Sequence, residues 1–240
     1  AGGRRAGTAG RARRWTVEAT SVRALVKFFR RICTNRALIL AMALREIRTR
    51  YAGTLAGLVW SVAHPLMMIL IYWFVFSVGF KVKTAQDVPF IIVFLCGLLP
   101  WTAFSETVLA STHAVTGNAH LVKKSVFPTE ILPLVHLIAS LVSHGIMLAI
   151  LAVLLVVHGI GFSPYNLQFV YFLLAMSVLC VGLGWMVSAL NVFYRDVGQS
   201  LTVLLNMWFW LTPIVWQTGM LPERYHFLIR FNPMYYVVEG

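Results

Sequence analysis

Five long apolar runs, separated by short polar segments, restrict the folds open to this chain. They cover residues 57–80, 88–109, 131–157, 167–190 and 201–216, and the fifth is the shortest. A hydrocarbon core of about 30 Å needs roughly 20 apolar residues in helical form. Because backbone groups in hydrocarbon must bond to one another, each run is predicted to be a helix. The sequence therefore predicts an all-α integral membrane protein with five spans.

The distribution of charge along the chain predicts which end of the protein lies in the cytoplasm. Of the 240 residues, 59% are hydrophobic and 12% are charged, and the net charge is +12. Most of the 20 Lys and Arg residues precede residue 51. Basic residues beside a span are explained by anionic lipid head groups and by the retention of positive charge inside. We therefore expect a cytoplasmic N-terminus and membrane lipids as partners, and no nucleic-acid partner.

The basic N-terminal segment has two parts. Residues 1–14 lack apolar periodicity and are predicted to be disordered. Residues 15–50 alternate apolar and basic residues at helical spacing, which predicts cytoplasmic interfacial helices with a break and N-cap at Thr34 and Asn35. The second of these helices carries the charged residues Arg45, Glu46, Arg48 and Arg50. An ordinary basic flank to the first span is the alternative interpretation.

The polar loop at residues 113–133, HAVTGNAHLVKKSVFPTEILP, is suited to contact a soluble partner. It lies between two apolar runs and must face water. Residues 119–127 are predicted to form one or two helical turns that end before Pro128. With the N-terminus inside, this loop and the link at 191–200 both lie in the cytoplasm. We interpret the short helix as the contact site for a soluble partner that supplies energy. The alternative is that the loop only connects two spans.

The sequence shows neither a catalytic constellation nor a metal-binding cluster. Glu106 and Asp196 lie near the ends of apolar runs. The histidines that could act in catalysis lie on different runs or at poor spacing: His64, His136, His144 and His158. Polar packing explains such histidines better than catalysis does. The segment GNAHLVKKS lacks the second glycine of a phosphate-binding loop, so ATP hydrolysis is expected on another chain. A membrane enzyme acting on polyprenyl-linked sugars is the alternative of a different class.

Aromatic residues are more abundant in the first and fifth runs than two interfacial belts require. Aromatic faces stack on sugar rings and allow sliding, because no single hydrogen bond fixes the register. We therefore interpret six of these residues as lining a glycan channel: Trp60, Tyr72, Trp73, Trp208, Phe209 and Trp210. Anchoring at the membrane interface and contact with lipid are the alternative.

Several segments resemble one membrane-protein family, in the same order along the chain. They are REIRTRYAGTLAGLVWSVAHPLMMILIYWFVFSVGF, CGLLPWTAFSETV, NAHLVKKSVFPTEILP, NVFYRDVGQ and the C-terminal LTPIVW, LPERY and NPMYYVVEG. Together they make residues 37–240 resemble the ABC-2 type permeases that export O-antigen, capsule and teichoic acid. This resemblance implies an ABC-2 (type V-like exporter) transmembrane domain in residues 51–240. It would hold five of six spans and be incomplete at its C-terminus.

The resemblance also implies partners and residue roles. Two copies of such a permease would pair with a dimer of ATP-binding subunits, which would hold ATP and Mg²⁺, in the bacterial cytoplasmic (inner) membrane. No cofactor is expected on this chain itself, and the cargo would be a glycan on a polyprenyl diphosphate lipid. The coupling helix of this chain, which would dock on the ATPase, would contain Asn118, Ala119, His120, Leu121, Val122, Lys123, Lys124 and Phe127. An ABC-2 exporter of a drug or a simple lipid is the alternative within this class.

Overall fold

The computed structural model describes residues 28, 30–51, 59–81, 88–124, 127–161, 163–216 and 218–239. The segment at 1–14 that is predicted to be disordered lies outside these residues, as does the first interfacial helix up to residue 27. The side chains of Tyr51, Ser61 and Lys124 also lie outside the description.

The described parts of the chain are helical and contain no strand, as predicted. In chain order the helices are α1 (Arg36–Tyr51), α2 (Val59–Trp73), α3 (Phe90–Thr112), α4 (Ala114–Gly117), α5 (Ala119–Lys124), α6 (Leu132–Val157), α7 (Gln168–Phe193), α8 (Val197–Leu211), α9 (His226–Arg230) and α10 (Pro233–Glu239). A π-helix at Phe74–Gly79 continues α2, and 3-10 turns at Thr129–Ile131 and Pro164–Leu167 lead into α6 and α7.

Helix α3 occupies the centre of the bundle. It packs against α6, α7, α8 and α10. Two thirds of its span is buried within the protein, against about a fifth or less for the other long helices. Phe94, Leu95, Leu99 and Phe104 are at most 1% exposed. A helix that is apolar on most sides is buried by its neighbours. Helix α3 is therefore the central helix against which the others are positioned.

Within the described residues, four helices are long and apolar enough to cross a membrane. They are Val62–Gly79, Phe90–Thr112, Thr129–Val157 and Pro164–Phe193, and they correspond to the first four predicted spans. Helix α3 continues through Pro100 without a break. Proline is tolerated in a spanning helix where neighbouring helices and Ser or Thr side chains satisfy the backbone.

The fifth predicted span is shorter and begins earlier than expected. The polar link predicted at 191–200 shrinks to the three residues between α7 and α8. Helix α8 has 15 residues and a length of about 22 Å, less than the roughly 30 Å of a hydrocarbon core. Five crossings therefore stay a prediction.

The chain beyond α8 folds back onto the end of that helix. The Trp208 indole donates to Asn232 Oδ1 at 2.7 Å, and the Asn232 amide donates to the Thr212 hydroxyl at 2.9 Å. Helix α10 then packs against α3 and α7. Before α10, His226–Arg230 form the short helix α9.

Helix α1 lies against α6 through a face of small and apolar residues. Ile39 and Ala43 are buried against Ile131 and Val135. The predicted N-cap at Asn35 is wrong, because this side chain donates to the Arg31 carbonyl at 2.8 Å and helical residues flank it on both sides. Leu40 and Leu44 remain more than half exposed, as suits a helix that lies in the membrane interface.

Close helix packing occurs at one of two neighbouring glycines in α7. A Cβ at Gly184 of α7 would lie 3.0 Å from both Pro133 Cβ and Ser111 Oγ, so α3, α6 and α7 converge there. A Cβ at Gly182 would have no atom of the described residues within 4 Å.

Candidate functional site

The loop at residues 113–133 folds into two short helices at the end of the bundle. The Asn118 amide donates to the Ala114 carbonyl at 2.9 Å, and the Asn118 carbonyl accepts from the backbone N–H of Leu121 at 2.9 Å. These bonds close the turn between α4 and α5, and Pro128 follows shortly after α5 ends. The helical turns predicted at the start of this segment are thus confirmed over Ala119–Lys124.

Helix α5 presents a polar face to the surroundings and a less exposed face to the protein. His120 and Lys123, three residues apart, are exposed on one side, whereas Leu121 and Val122 are half-buried. Ala119 and Asn118 are also half-buried. Phe127 packs against the cluster formed by Ile39, Ala43, Ile131 and Val135, the same cluster through which α1 lies against α6. Helix α5 therefore exposes basic side chains on one side, while its other side and the end of the loop pack against the protein.

Helix α4 connects α5 to the spanning helices α7 and α8. Ala114 is 1% exposed, and α4 packs against α6 and α7. The Asn191 amide on α7 lies 3.4 Å from His113 Nδ1 and 3.4 Å from the Thr116 hydroxyl. A Cβ at Gly198 would lie 2.8 Å from His113 Nε2, so this imidazole sits directly on the first turn of α8. Sequence reasoning missed this joint, although it placed both cytoplasmic segments on one side.

Two of the charged residues of α1 face the bundle, and two face outward. Arg50 forms an ion pair with Glu106 of α3, and Glu106 Oε2 accepts from the Ser140 hydroxyl at 3.4 Å. Glu46 lies 3.8 Å from His136 of α6. Arg45 and Arg48 are exposed. The spacing of Ile39, Ala43, Glu46 and Arg50 places them on one helical face, and this signal could have indicated the contact.

A second ion pair ties the segment before α1 to the start of α6. Arg31 Nη1 lies 3.3 Å from Glu130 Oε1, and the Trp185 indole donates to the Glu130 carbonyl at 2.8 Å. The Phe28 ring meets the Trp185 ring edge-on at 5.0 Å. Interfacial helix, loop and α7 therefore meet around one residue, Glu130.

The structure divides the six aromatic residues predicted to line a channel. Three pack within the bundle: Tyr72 lies 4.8 Å from the Phe94 ring, Trp208 5.2 Å from the Phe104 ring and Phe209 5.7 Å from the Trp101 ring. The other three are exposed on this copy, Trp60 by 50%, Trp73 by 47% and Trp210 by 64%. Helix α2 packs against α3 and α6, whereas α8 packs against α3 and α7. Within one copy of the chain, the described channel rings of α2 therefore do not contact those of α8.

The histidines considered as catalytic candidates are dispersed. His64 is exposed on α2, and His158 is exposed directly after α6. His136 and His144 are buried at separate points along α6. Among the described residues, no group of three His, Cys, Asp or Glu side chains is placed to hold a metal ion.

Comparison with known proteins agrees with this arrangement of helices. Residues 37–240 match the family described as ABC-2 type transporter. The chain belongs to this family. It is 28% identical over 201 residues to the O-antigen export system permease protein RfbA of Klebsiella pneumoniae, which covers 82% of this chain and 75% of the relative.

Two further relatives of the ABC-2 chain come from other organisms. The O-antigen export system permease protein RfbA of Myxococcus xanthus is 26% identical over 213 residues, covering 88% of this chain and 80% of the relative. The polysialic acid transport protein KpsM of Escherichia coli is 25% identical over 201 residues, covering 83% and 77%. This ABC-2 protein is thus a multi-pass membrane protein related to transport permeases, and ABC-2 permeases of polysaccharide exporters work with an ATP-binding subunit.

Proposed function

We propose that this chain is the membrane-spanning permease of an ATP-driven exporter that moves a polyprenyl-linked polysaccharide out of the cytoplasm. The observation that carries the proposal is its similarity, over most of its length, to permeases for O-antigen and polysialic acid. These relatives favour a polysaccharide over the alternative cargo, a drug or a simple lipid. The protein would work in the bacterial inner membrane with its N-terminus in the cytoplasm.

Helix α5 is proposed to be the contact with the separate ATP-binding subunit, which holds ATP and Mg²⁺. Its exposed side carries His120 and Lys123 with Lys124 following, and it is mounted on α4 rather than on a free loop. Since His113 rests on Gly198 and Asn191 approaches Thr116, a displacement of α4 presses on α7 and α8. Closure of the partner on ATP would be passed to the spanning helices by this route.

The exposed aromatic residues support a second copy of the chain as the other half of the channel. Among the described residues, Trp60, Trp73 and Trp210 keep about half or more of their surface exposed. Across a pair of copies, such rings would face a shared path along which sugar rings can slide. The proposal thus has three partners: the glycan, a second copy of the chain and the ATP-binding subunit. Each would account for a different exposed surface.

Co-purification of the full-length permease tests the proposal. The tagged protein should retain a soluble ATP-binding subunit, and Lys123→Glu/Lys124→Glu should release that subunit and abolish export. The matched control is Lys81→Glu/Arg224→Glu, which reverses two charges at the other end of the bundle and should retain both partner and export. A permease that purifies alone, or a lysine pair whose reversal changes neither binding nor export, would contradict it.

A further inference from the structure

A cleft of 390 Å³ lies between α3 and α8, and a row of polar side chains runs along its otherwise apolar walls. It is lined on α3 by Trp101, Thr102, Ser105, Glu106 and Leu109, and on α8 by Thr202, Leu205 and Asn206. The positions at 102, 105 and 106 share one face of α3, because residues three and four apart are neighbours on a helix. Positions 199, 202 and 206 of α8 likewise form one stripe, Gln199 included.

A polar stripe of this kind does not belong against hydrocarbon. Thr202, Gln199 and Asn206 are exposed on α8, and the Glu106 side chain is 39% exposed. Ionisable and amide groups within spans face a bundle interior or a water-filled cavity, because hydrocarbon cannot hydrogen-bond to them. The lining residues lie in the middle of α8 and in the second half of α3, and that half of α3 leads to the end of the bundle that carries α4 and α5.

The hydrogen-bonding capacity of the cleft is mostly that of acceptors. The hydroxyls of Thr102, Ser105 and Thr202 donate to backbone carbonyls of their own helices, which leaves oxygen lone pairs free to accept. The Glu106 carboxylate is also an acceptor, held in place by Arg50 and Ser140.

Asn206 supplies the remaining polar group and Trp101 supplies an apolar surface. The Asn206 amide has no hydrogen-bond partner among the described residues, so it can both donate and accept. Trp101 lines the same cleft and contacts the Phe209 ring at 5.7 Å and the Trp208 ring at 6.2 Å. Clustered acceptors beside an aromatic surface suit a ligand rich in hydroxyl donors with apolar ring faces.

We infer that this cleft binds sugar residues of the transported glycan through their hydroxyl groups, at the cytoplasmic start of its path. The inference rests on the proposed function and extends it to a place on the molecule. The ligand class is a polyhydroxylated sugar chain rather than an acyl chain, which would leave the polar stripe unsatisfied. The carboxylate of Glu106 also disfavours a phosphate at this point.

Cysteine accessibility in the full-length permease, assembled with its ATP-binding subunit, tests the inference. Thr202→Cys and Asn206→Cys are compared with Leu204→Cys, which lies on the opposite side of α8 and is 58% exposed in its native form. The background lacks Cys33, Cys96 and Cys180. The probe is a membrane-impermeant sulfonated thiosulfonate applied to inside-out vesicles. Without glycan, the two cleft cysteines should react about tenfold faster than the control, because thiolate reactivity requires access to water.

The second arm uses vesicles in which an ATPase-inactive partner traps the lipid-linked glycan. Modification at 202 and 206 should slow several-fold relative to vesicles from cells that make no glycan, and modification at 204 should not change. Slow modification of the cleft cysteines in both preparations would show that lipid or a second copy covers the cleft. Equally fast modification in both would show that water enters the cleft and that the glycan does not occupy it. Either result overturns the inference while export and co-purification, measured in parallel, still judge the proposed function.

A substitution provides an independent readout. Asn206→Leu removes the amide at similar side-chain size and should lower surface glycan about tenfold, the loss expected for one hydrogen-bonding group. The ATP-binding subunit should still co-purify, and Leu204→Met should export normally. Normal export by Asn206→Leu would count against the cleft as a glycan site.

Discussion

His113 and Gly198 form a contact in which one residue must be small. A Cβ at Gly198 would lie 2.8 Å from Nε2 and 2.9 Å from Cε1 of the imidazole, so the ring would have to move. We predict that Gly198→Ala destabilises the protein by about 1–3 kcal/mol, the usual cost of overpacking. His113→Ala in the same chain should restore the loss. Thermal unfolding of the detergent-solubilised protein measures both.

Gly182→Ala is the matched control for this substitution. It is also a helical glycine, but nothing lies within 4 Å of its added Cβ. Alanine there should be neutral or stabilising by up to about 1 kcal/mol, because glycine is the poorer helix former. Equal behaviour of the two alanine variants would show that His113 does not press on α8.

The ion pair of Arg50 with Glu106 joins the interfacial helix to the central helix. The side chains are 21% and 39% exposed, so solvent screens the attraction in part. In a double-mutant cycle of Arg50→Met and Glu106→Gln we expect a coupling energy of about 1 kcal/mol. The cycle of Arg48→Met with Glu106→Gln is the control, since Arg48 is exposed on α1. No difference between the cycles would contradict the pairing.

At the scale of elements, α1 has two faces with different surroundings. Ala43 is 1% exposed against α6, whereas Ala41, half a turn away, is exposed. We predict that Ala43→Leu forces α1 away from α6 and costs about 1–3 kcal/mol of stability. Ala41→Leu adds the same atoms to the outer face and should be tolerated. Unfolding midpoints of the two variants give the comparison, and similar midpoints would show that α1 is not docked through Ala43.

At the scale of the whole molecule, the bundle has one end that carries α4 and α5 and another that carries the 3-10 turn at Pro164–Leu167. The proposed orientation places Cys33, exposed before α1, on the cytoplasmic side. An impermeant thiol reagent should therefore modify Cys33 in inside-out vesicles and not in right-side-out vesicles. The background carries Cys96→Ser, and Cys180 is buried.

Ser163→Cys supplies the reciprocal control at the opposite end. Ser163 is exposed next to the Pro164–Leu167 turn, so its cysteine should react only in right-side-out vesicles. The reverse pattern for both positions would invert the topology and would remove α5 from the reach of a cytoplasmic ATP-binding subunit.

Features that depend on local sequence were predictable. Apolar length alone indicates the four long helices, because an apolar run in hydrocarbon must close its own backbone hydrogen bonds. The helical turns of α5 also followed from residues near Pro128. Boundaries were less accurate: α8 begins at Val197 because the polar residues after Asp196 continue the helix instead of forming a link.

The sequence by itself determined that this chain is a helical membrane protein and where its four long apolar helices lie. Only the tertiary structure decided that Arg50 meets Glu106, that His113 rests on Gly198, and that the polar faces of α3 and α8 enclose one cleft. Helical periodicity places a residue on a face, but the neighbour of that face depends on how several helices pack at once. The same reason explains why Trp208 is packed inside the bundle while Trp210, two residues on, is exposed.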